Sequence, residues 1–142
     1  MGLDAVVFLD IDNLSDSLPK EKLQIDEDTG ELYFVHLRPP DISRDFAVAK
    51  EIRIGNISAI GTLRREVAQL LGEESFIVQK LLYSGSHSGD FIGLSSLSEL
   101  ELELSELEAL GGQLQNEVSS MVSKLRALAS EAKKQGNPIV FL

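Results

Sequence analysis

The chain has no cysteine and no tryptophan among its 142 residues. Without a thiol there is no disulfide, no thiolate metal site and no cysteine nucleophile. Histidine is nearly as scarce. His36 and His87 stand alone, in neither His-x-x-x-His nor Glu-x-x-His spacing, so a zinc site would have to recruit acids and distant partners. No metal or other cofactor is expected. Positive charge is short as well, with 13 Lys and Arg against 23 Asp and Glu, a formal charge of -10. That excess repels nucleic-acid phosphates and anionic membrane surfaces, so neither is an expected partner. Long apolar runs are missing too. Ala5 to Leu9 is too short for a signal core or a membrane span, and Asp4 stands where a signal peptide carries positive charge. Val6 occupies the place where N-myristoylation needs Ser or Thr. The Asn56-Ile57-Ser58 acceptor pattern is idle without secretion, and a cytoplasmic protein is expected.

What is there is globular. Hydrophobic residues make up 43% and charged residues 25%, and the length suits one domain over residues 1–142. Ala5-Val6-Val7-Phe8-Leu9 lies between Asp4 and Asp10 and reads as a central strand buried on both faces. Leu14 to Lys22, with Pro19, reads as a loop. Lys22 to Ile25 and Leu32 to Val35 flank Asp26 to Glu31 as a hairpin, with Gly30 at the positive-φ position and Pro39-Pro40 closing the unit. Glu51 to Ile54 alternates as an edge strand. Ile60, Leu63, Val67, Leu70 and Leu71 share a helical face that stops at Gly72.

The β-rich run Ser75 to Tyr83 suggests another strand, followed by a Ser/Gly loop over Ser84 to Asp90. Ser96 and Glu99 have capping-box spacing ahead of a helix with Leu97, Leu100, Leu104 and Leu107 on one face, broken at Gly111-Gly112. A longer helix spans about Gln113 to Gln135, with Leu114, Val118, Met121, Leu125, Leu128 and Ala132 in 3-and-4 spacing. Gly136-Asn137-Pro138 ends it, and Ile139 to Leu142 is placed to pair with the first strand. The class is therefore α+β: an antiparallel or mixed sheet of about five to six strands with about three helices, including a C-terminal helical pair. The Leu114 to Ala132 stripe leaves a structural homodimer open, although its flanks carry no complementary charge code.

Several clusters carry candidate chemistry. Val6 to Asn13, an apolar strand ending in Asp10-Ile11-Asp12, resembles the first motif of haloacid-dehalogenase-type phosphatases. That resemblance implies a parallel Rossmann-like sheet, Asp10 as nucleophile, Asp12 as general acid/base, and Mg²⁺ between them. The chain departs from it at Leu14, where the family has Thr or Val, and lacks the later Ser/Thr, Lys and acidic-pair motifs. A calcium loop counted from Asp10 needs glycine at Ser15 and a ligand at Leu14; one counted from Asp26 meets Gly30 one place early.

Tyr83-Ser84-Gly85-Ser86-His87-Ser88-Gly89-Asp90-Phe91-Ile92 offers main-chain N–H groups and hydroxyls to a ligand or partner, without the Gly-Lys-Ser/Thr of a phosphate loop. Ser86, His87 and Asp90 are the residue types of a hydrolytic triad, but neighbours in one loop rarely reach triad geometry. From Glu73 to Glu117 stand nine acids and a single base, Lys80, with Glu99, Glu101, Glu103, Glu106 and Glu108 on one helix. This run is either a solvated face or a docking surface for a basic partner.

Together, Gly2 to Val7, Arg53 to Asn56, Tyr83 to Asp90 and Gly136 to Phe141 resemble small bacterial proteins of the polymorphic-toxin immunity type, as does the progression from Leu81 to Leu107. The resemblance implies a non-enzymatic module that binds and blocks a toxin, an acidic inhibitor suiting a basic nuclease. The expected binding residues are Tyr83, Ser86, His87, Ser88, Asp90 and Asn56, with no catalytic set carried over.

Overall fold

A computed structural model describes all residues, 1–142. The architecture is α+β. Four strands form one antiparallel sheet in the order β4-β1-β6-β5, and β2 and β3 form a separate two-stranded sheet. Here β1 is Gly2–Phe8, β2 Leu23–Ile25, β3 Leu32–Phe34, β4 Val48–Asn56, β5 Phe91–Ile92 and β6 Ile139–Phe141. The helices are α1 Ile57–Leu71, α2 Leu97–Ala109 and α3 Asn116–Gln135.

The apolar run at the start of the chain is the central strand, as its composition requires: Ala5 to Phe8 are all buried. It lies between β4, with Ala5 opposite Ile52, and the C-terminal β6, with Ala5 opposite Phe141 and Val6 opposite Val140. The period of two divides its side chains. Leu3, Ala5 and Val7 join Ile54, Ile139 and Phe141 beneath the three helices, in one core with Leu104, Leu125 and Leu128. Val6, Phe8 and Val140 form a small cluster on the other face. No two neighbouring strands pair in parallel, so the sheet is not the one the phosphatase resemblance implies.

Most sequence signals become structure. The hairpin forms with Gly30 at φ 75°, where an L side chain would be strained, and Gly30 packs directly on the Asn137 side chain. Asn137 Nδ2 in turn donates to the Phe8 carbonyl at 2.9 Å, tying the hairpin to the end of β1 and the start of β6. The segment before the hairpin is a loop containing short 3₁₀ turns, and Leu14 seeds a second small cluster with Leu32 and Ala47. Gly136, at φ 67°, ends α3, and both its N–H and that of Asn137 bond to the Ala132 carbonyl.

Four expectations are corrected. Residues 75–83 are not a strand: Ile77–Leu81 is a π-helical turn. The buried positions Ile77, Val78, Leu81 and Leu82 are spaced one and three apart, which is a helical period that the β-rich composition masks. The Ser96 capping box does not form, because Ser96 is already helical at φ -99°, ψ -4° after a 3₁₀ turn and makes no side-chain cap. Leu70 is 40% exposed, so the buried face of α1 is Ile60, Leu63 and Val67. Leu114 precedes α3, which begins at Asn116. The remainder of the α3 stripe, Val118, Met121, Leu125, Leu128 and Ala132, is buried in the protein's own core, which removes the seam considered for a homodimer.

Candidate functional site: a cleft beside the last strand of the sheet

The Ser/Gly loop joins the π turn to β5, and its residues separate into two groups. Tyr83, His87 and Asp90 come together. The His87 ring is buried, stacked on Tyr83 with centroids 4.5 Å apart and edge-on to Phe141 at 4.7 Å. Its Nε2–H donates to the Leu81 carbonyl at 2.8 Å, since a carbonyl can only accept. Nδ1 is buried without a hydrogen bond and stands 3.4 Å from Asp90 Oδ2. The Tyr83 hydroxyl donates to that same Asp90 oxygen. This hydrogen bond, with desolvation and the Asp90 charge adding to it, raises the Tyr83 pKa above the ordinary tyrosine value.

Ser86, Ser88 and Asn56 are not part of this group. Ser84 Oγ donates to the Ser86 carbonyl at 3.0 Å, so the loop satisfies its own main chain. The Asn56 side chain accepts from the Ala59 N–H at 2.8 Å and caps α1. Gly85 packs against the start of that helix, where an added Cβ would lie 2.9 Å from Ile57 Cγ2. No serine hydroxyl is bonded to the imidazole, whose Nε2 is occupied by the main chain, so the triad residue types do not form a triad.

Beside this cluster opens a cleft of about 580 Å³. Phe76, Lys80 and Tyr83 line it from the π-turn side, and Asp90, Phe91 and Ser95 from the strand side. It runs along the outer edge of β5, which pairs only with β6. Phe91 is 45% exposed and Tyr83 42%, so aromatic surface faces solvent at the mouth. Of the expected binding residues, Tyr83 and Asp90 line this cleft. Phe76, Lys80, Phe91 and Ser95 are not among the expected binding residues, although Phe91 lies in the stretch singled out for them. The signal for them was Phe91-Ile92, a β-type pair directly after a glycine loop, too short to stand out by periodicity.

The acidic run is only partly a free surface. Glu103 turns inward and accepts the main-chain N–H of Phe76 at 2.6 Å and of Ile77 at 2.9 Å, capping the π turn with both carboxylate oxygens. Glu101 pairs with Lys133 at 2.6 Å and Glu108 with Arg126 at 2.6 Å, which clamps α2 to α3. Glu99 and Glu106 remain exposed and make no ion pair. The other acidic motif is also structural. Asp10 Oδ1 accepts from the Asp12 N–H at 2.9 Å, and the Asp10 N–H donates to the buried Gln135 side chain at 3.0 Å.

A scan against protein-family models found no match. Searches of the curated proteins and of the solved structures found none either. No helix is long and apolar enough to cross a membrane.

Proposed function

We propose that the protein is a non-enzymatic binding module that docks a basic partner protein in the cleft along β5. The observation that carries this reading is the coincidence of an open cleft, exposed aromatic side chains and an unpaired strand edge at one place. In an antiparallel ladder alternate residues turn their main-chain groups outward, so Phe91, flanked by bonded positions, can offer N–H and C=O to an extended segment. Phe76, Tyr83 and Phe91 supply the apolar contact on which such interfaces concentrate their energy.

The partner's chemistry follows from charge. A molecule with a formal charge of -10 attracts a basic protein from a distance, and Asp90 lines the cleft to receive it. The finer reading, an immunity-type inhibitor whose target is a basic toxin such as a nuclease, rests on the sequence resemblance and this acid excess. The same charge is supplied without any catalytic arrangement at His87.

The test is a selection of displayed random peptides against the wild-type protein and a Phe91→Asp variant. Enriched sequences that pair lysine or arginine with an aromatic residue, bind the wild type alone and shift the amide resonances of Lys80 to Gly93 support the proposal. Enrichment indifferent to Phe91→Asp, or shifts confined to another face, overturns it.

A further inference from the structure

We infer that the free edge of β4 associates with β4 of a second copy of this chain, antiparallel about a two-fold axis at Ile52, so that Glu51 of each copy lies opposite Arg53 of the other. This edge is at the far side of the sheet from the β5 cleft, and the inference does not depend on the docking proposal.

β4 stands at one end of the sheet order and pairs only with β1. Which of its main-chain groups are free follows from β1. The Asp4 N–H donates to the Leu142 carbonyl at 3.4 Å and the Leu142 N–H to the Asp4 carbonyl at 2.9 Å, so the main chain of Asp4 faces β6. Alternation then turns Ala5 and Val7 towards β4 and Val6 towards β6. Across this regular stretch Asp4 lies opposite Arg53, Ala5 opposite Ile52, Val6 opposite Glu51 and Val7 opposite Lys50. Lys50 and Ile52 are therefore bonded to β1, and the N–H and C=O of Glu51 and Arg53 point outward without a strand to pair with. A row of this kind is a template for another strand.

The charges select the register. Directly opposed residues of an antiparallel pair share a face, and only outward-turned positions can exchange bonds across the junction. Within the regular stretch, β4 can meet a second β4 with Glu51 opposite itself, with Arg53 opposite itself, or with Glu51 opposite Arg53. The first two set like charges directly across from each other, which is destabilising, whereas the third sets opposite charges there on both sides of the axis. It also brings Ile52 against its own copy at a non-bonded position, where facing residues approach most closely.

The side chains are placed for this contact. Glu51 is exposed and makes no ion pair. Arg53 is held by Asp4 Oδ2 at 2.9 Å and by the Met1 carbonyl at 3.1 Å, with the rest of its donor fork free. Ile52 packs on the margin of the core and is only partly buried, so a second copy covers apolar surface that one chain leaves open. The match is self-complementary, as a two-fold contact requires, and it closes at two copies. Register shifts between Leu3 and Asp4 and between Val7 and Phe8 bound the regular stretch on either side, which keeps the shared ladder short and the dimer weak.

The test is sedimentation equilibrium at about 0.15 M salt, where the repulsion between two acidic chains is screened beyond about 8 Å. The average mass is expected to rise towards that of two chains as the protein concentration approaches about 1 mM. Over the same range amide exchange is expected to slow at Glu51 and Arg53, with Lys50 and Ile52 protected throughout. Glu51→Arg and Arg53→Glu are each expected to weaken association at least tenfold. An equimolar mixture of the two folded variants, in which the arginines of one face the glutamates of the other, is expected to restore it. Glu51→Pro removes an outward N–H, leaves the bonds to β1 and the Arg53–Asp4 pair in place, and is expected to abolish association. A mass of one chain at every concentration overturns the inference. So does association that survives Glu51→Arg or Glu51→Pro, that leaves exchange at Glu51 and Arg53 unchanged, or that the mixture of charge-swapped variants does not restore.

Discussion

Glu103 illustrates how a surface-type residue becomes structural through its position alone. Its two oxygens take the first N–H groups of the π turn, donors that a short helical segment cannot satisfy internally. Glu103→Ala leaves both partly buried donors unpaired. The expected cost is about 2–3 kcal/mol in chemical denaturation, the scale of hydrogen bonds to a charged group. A loss below about 0.5 kcal/mol would contradict the capping role. Nothing in a single sequence separates Glu103 from Glu99 or Glu106, because all five glutamates follow the same alternation with leucine. What distinguishes it is the neighbour that α2 meets across the fold. His87 is the converse case. As one of two histidines in a polar loop it read as a binding residue, whereas its ring is buried between Tyr83 and Phe141 and supports the cleft from behind. The notable residue type was legible, but the side of the wall it occupies was not.

Among the elements, the hairpin was the most legible because its information is local. Asp26 Oδ1 accepts from the N–H groups of Asp28 at 2.9 Å and Thr29 at 3.1 Å, and Gly30 supplies the positive φ that closes the turn. The main-chain bond from Thr29, then that from Asp28, lowers the Asp26 pKa below its ordinary value of 3.8. A carboxylate with a depressed folded pKa stabilises the turn above its ordinary pKa, and the effect fades as pH falls through the lowered value. The expected outcome is faster amide exchange at Asp28 and Thr29 as pH drops below about 4, beyond the intrinsic pH dependence of exchange, and its removal in Asp26→Asn. Unchanged protection in that range would contradict it. The π turn was misread for the opposite reason. Phe76-Ile77-Val78 has strand composition, and only packing under α2 and the carboxylate of Glu103 decides the conformation. The capping box at Ser96 failed similarly, since the preceding 3₁₀ turn leads into α2 with Ser96 already in helical geometry.

For the whole molecule, the sequence carried the class and the core, and the sheet order was not in it. Each amphipathic stripe and the central strand could be assigned from periodicity, and the terminal run was placed beside β1 correctly. That β6 inserts between β1 and β5, leaving two residues as a free edge, depends on how three helices close over one face. The cleft is a product of that closure. Core substitutions therefore bear on it indirectly: Leu125→Ala, at a fully buried position of α3, is expected to cost about 2–5 kcal/mol in denaturation without selectively altering the cleft.

The central claim, that a basic partner docks along β5, is tested most directly by a photo-crosslinking residue placed at Phe91 in the organism that encodes the protein. The same residue at Leu37, 97% exposed, serves as the reference position. The account predicts one predominant product at position 91, to a basic protein whose purified form then binds the wild type and not Phe91→Asp, with no such product at position 37. No product at 91, the same product at both positions, or a partner whose affinity is unaffected by Phe91→Asp would contradict it.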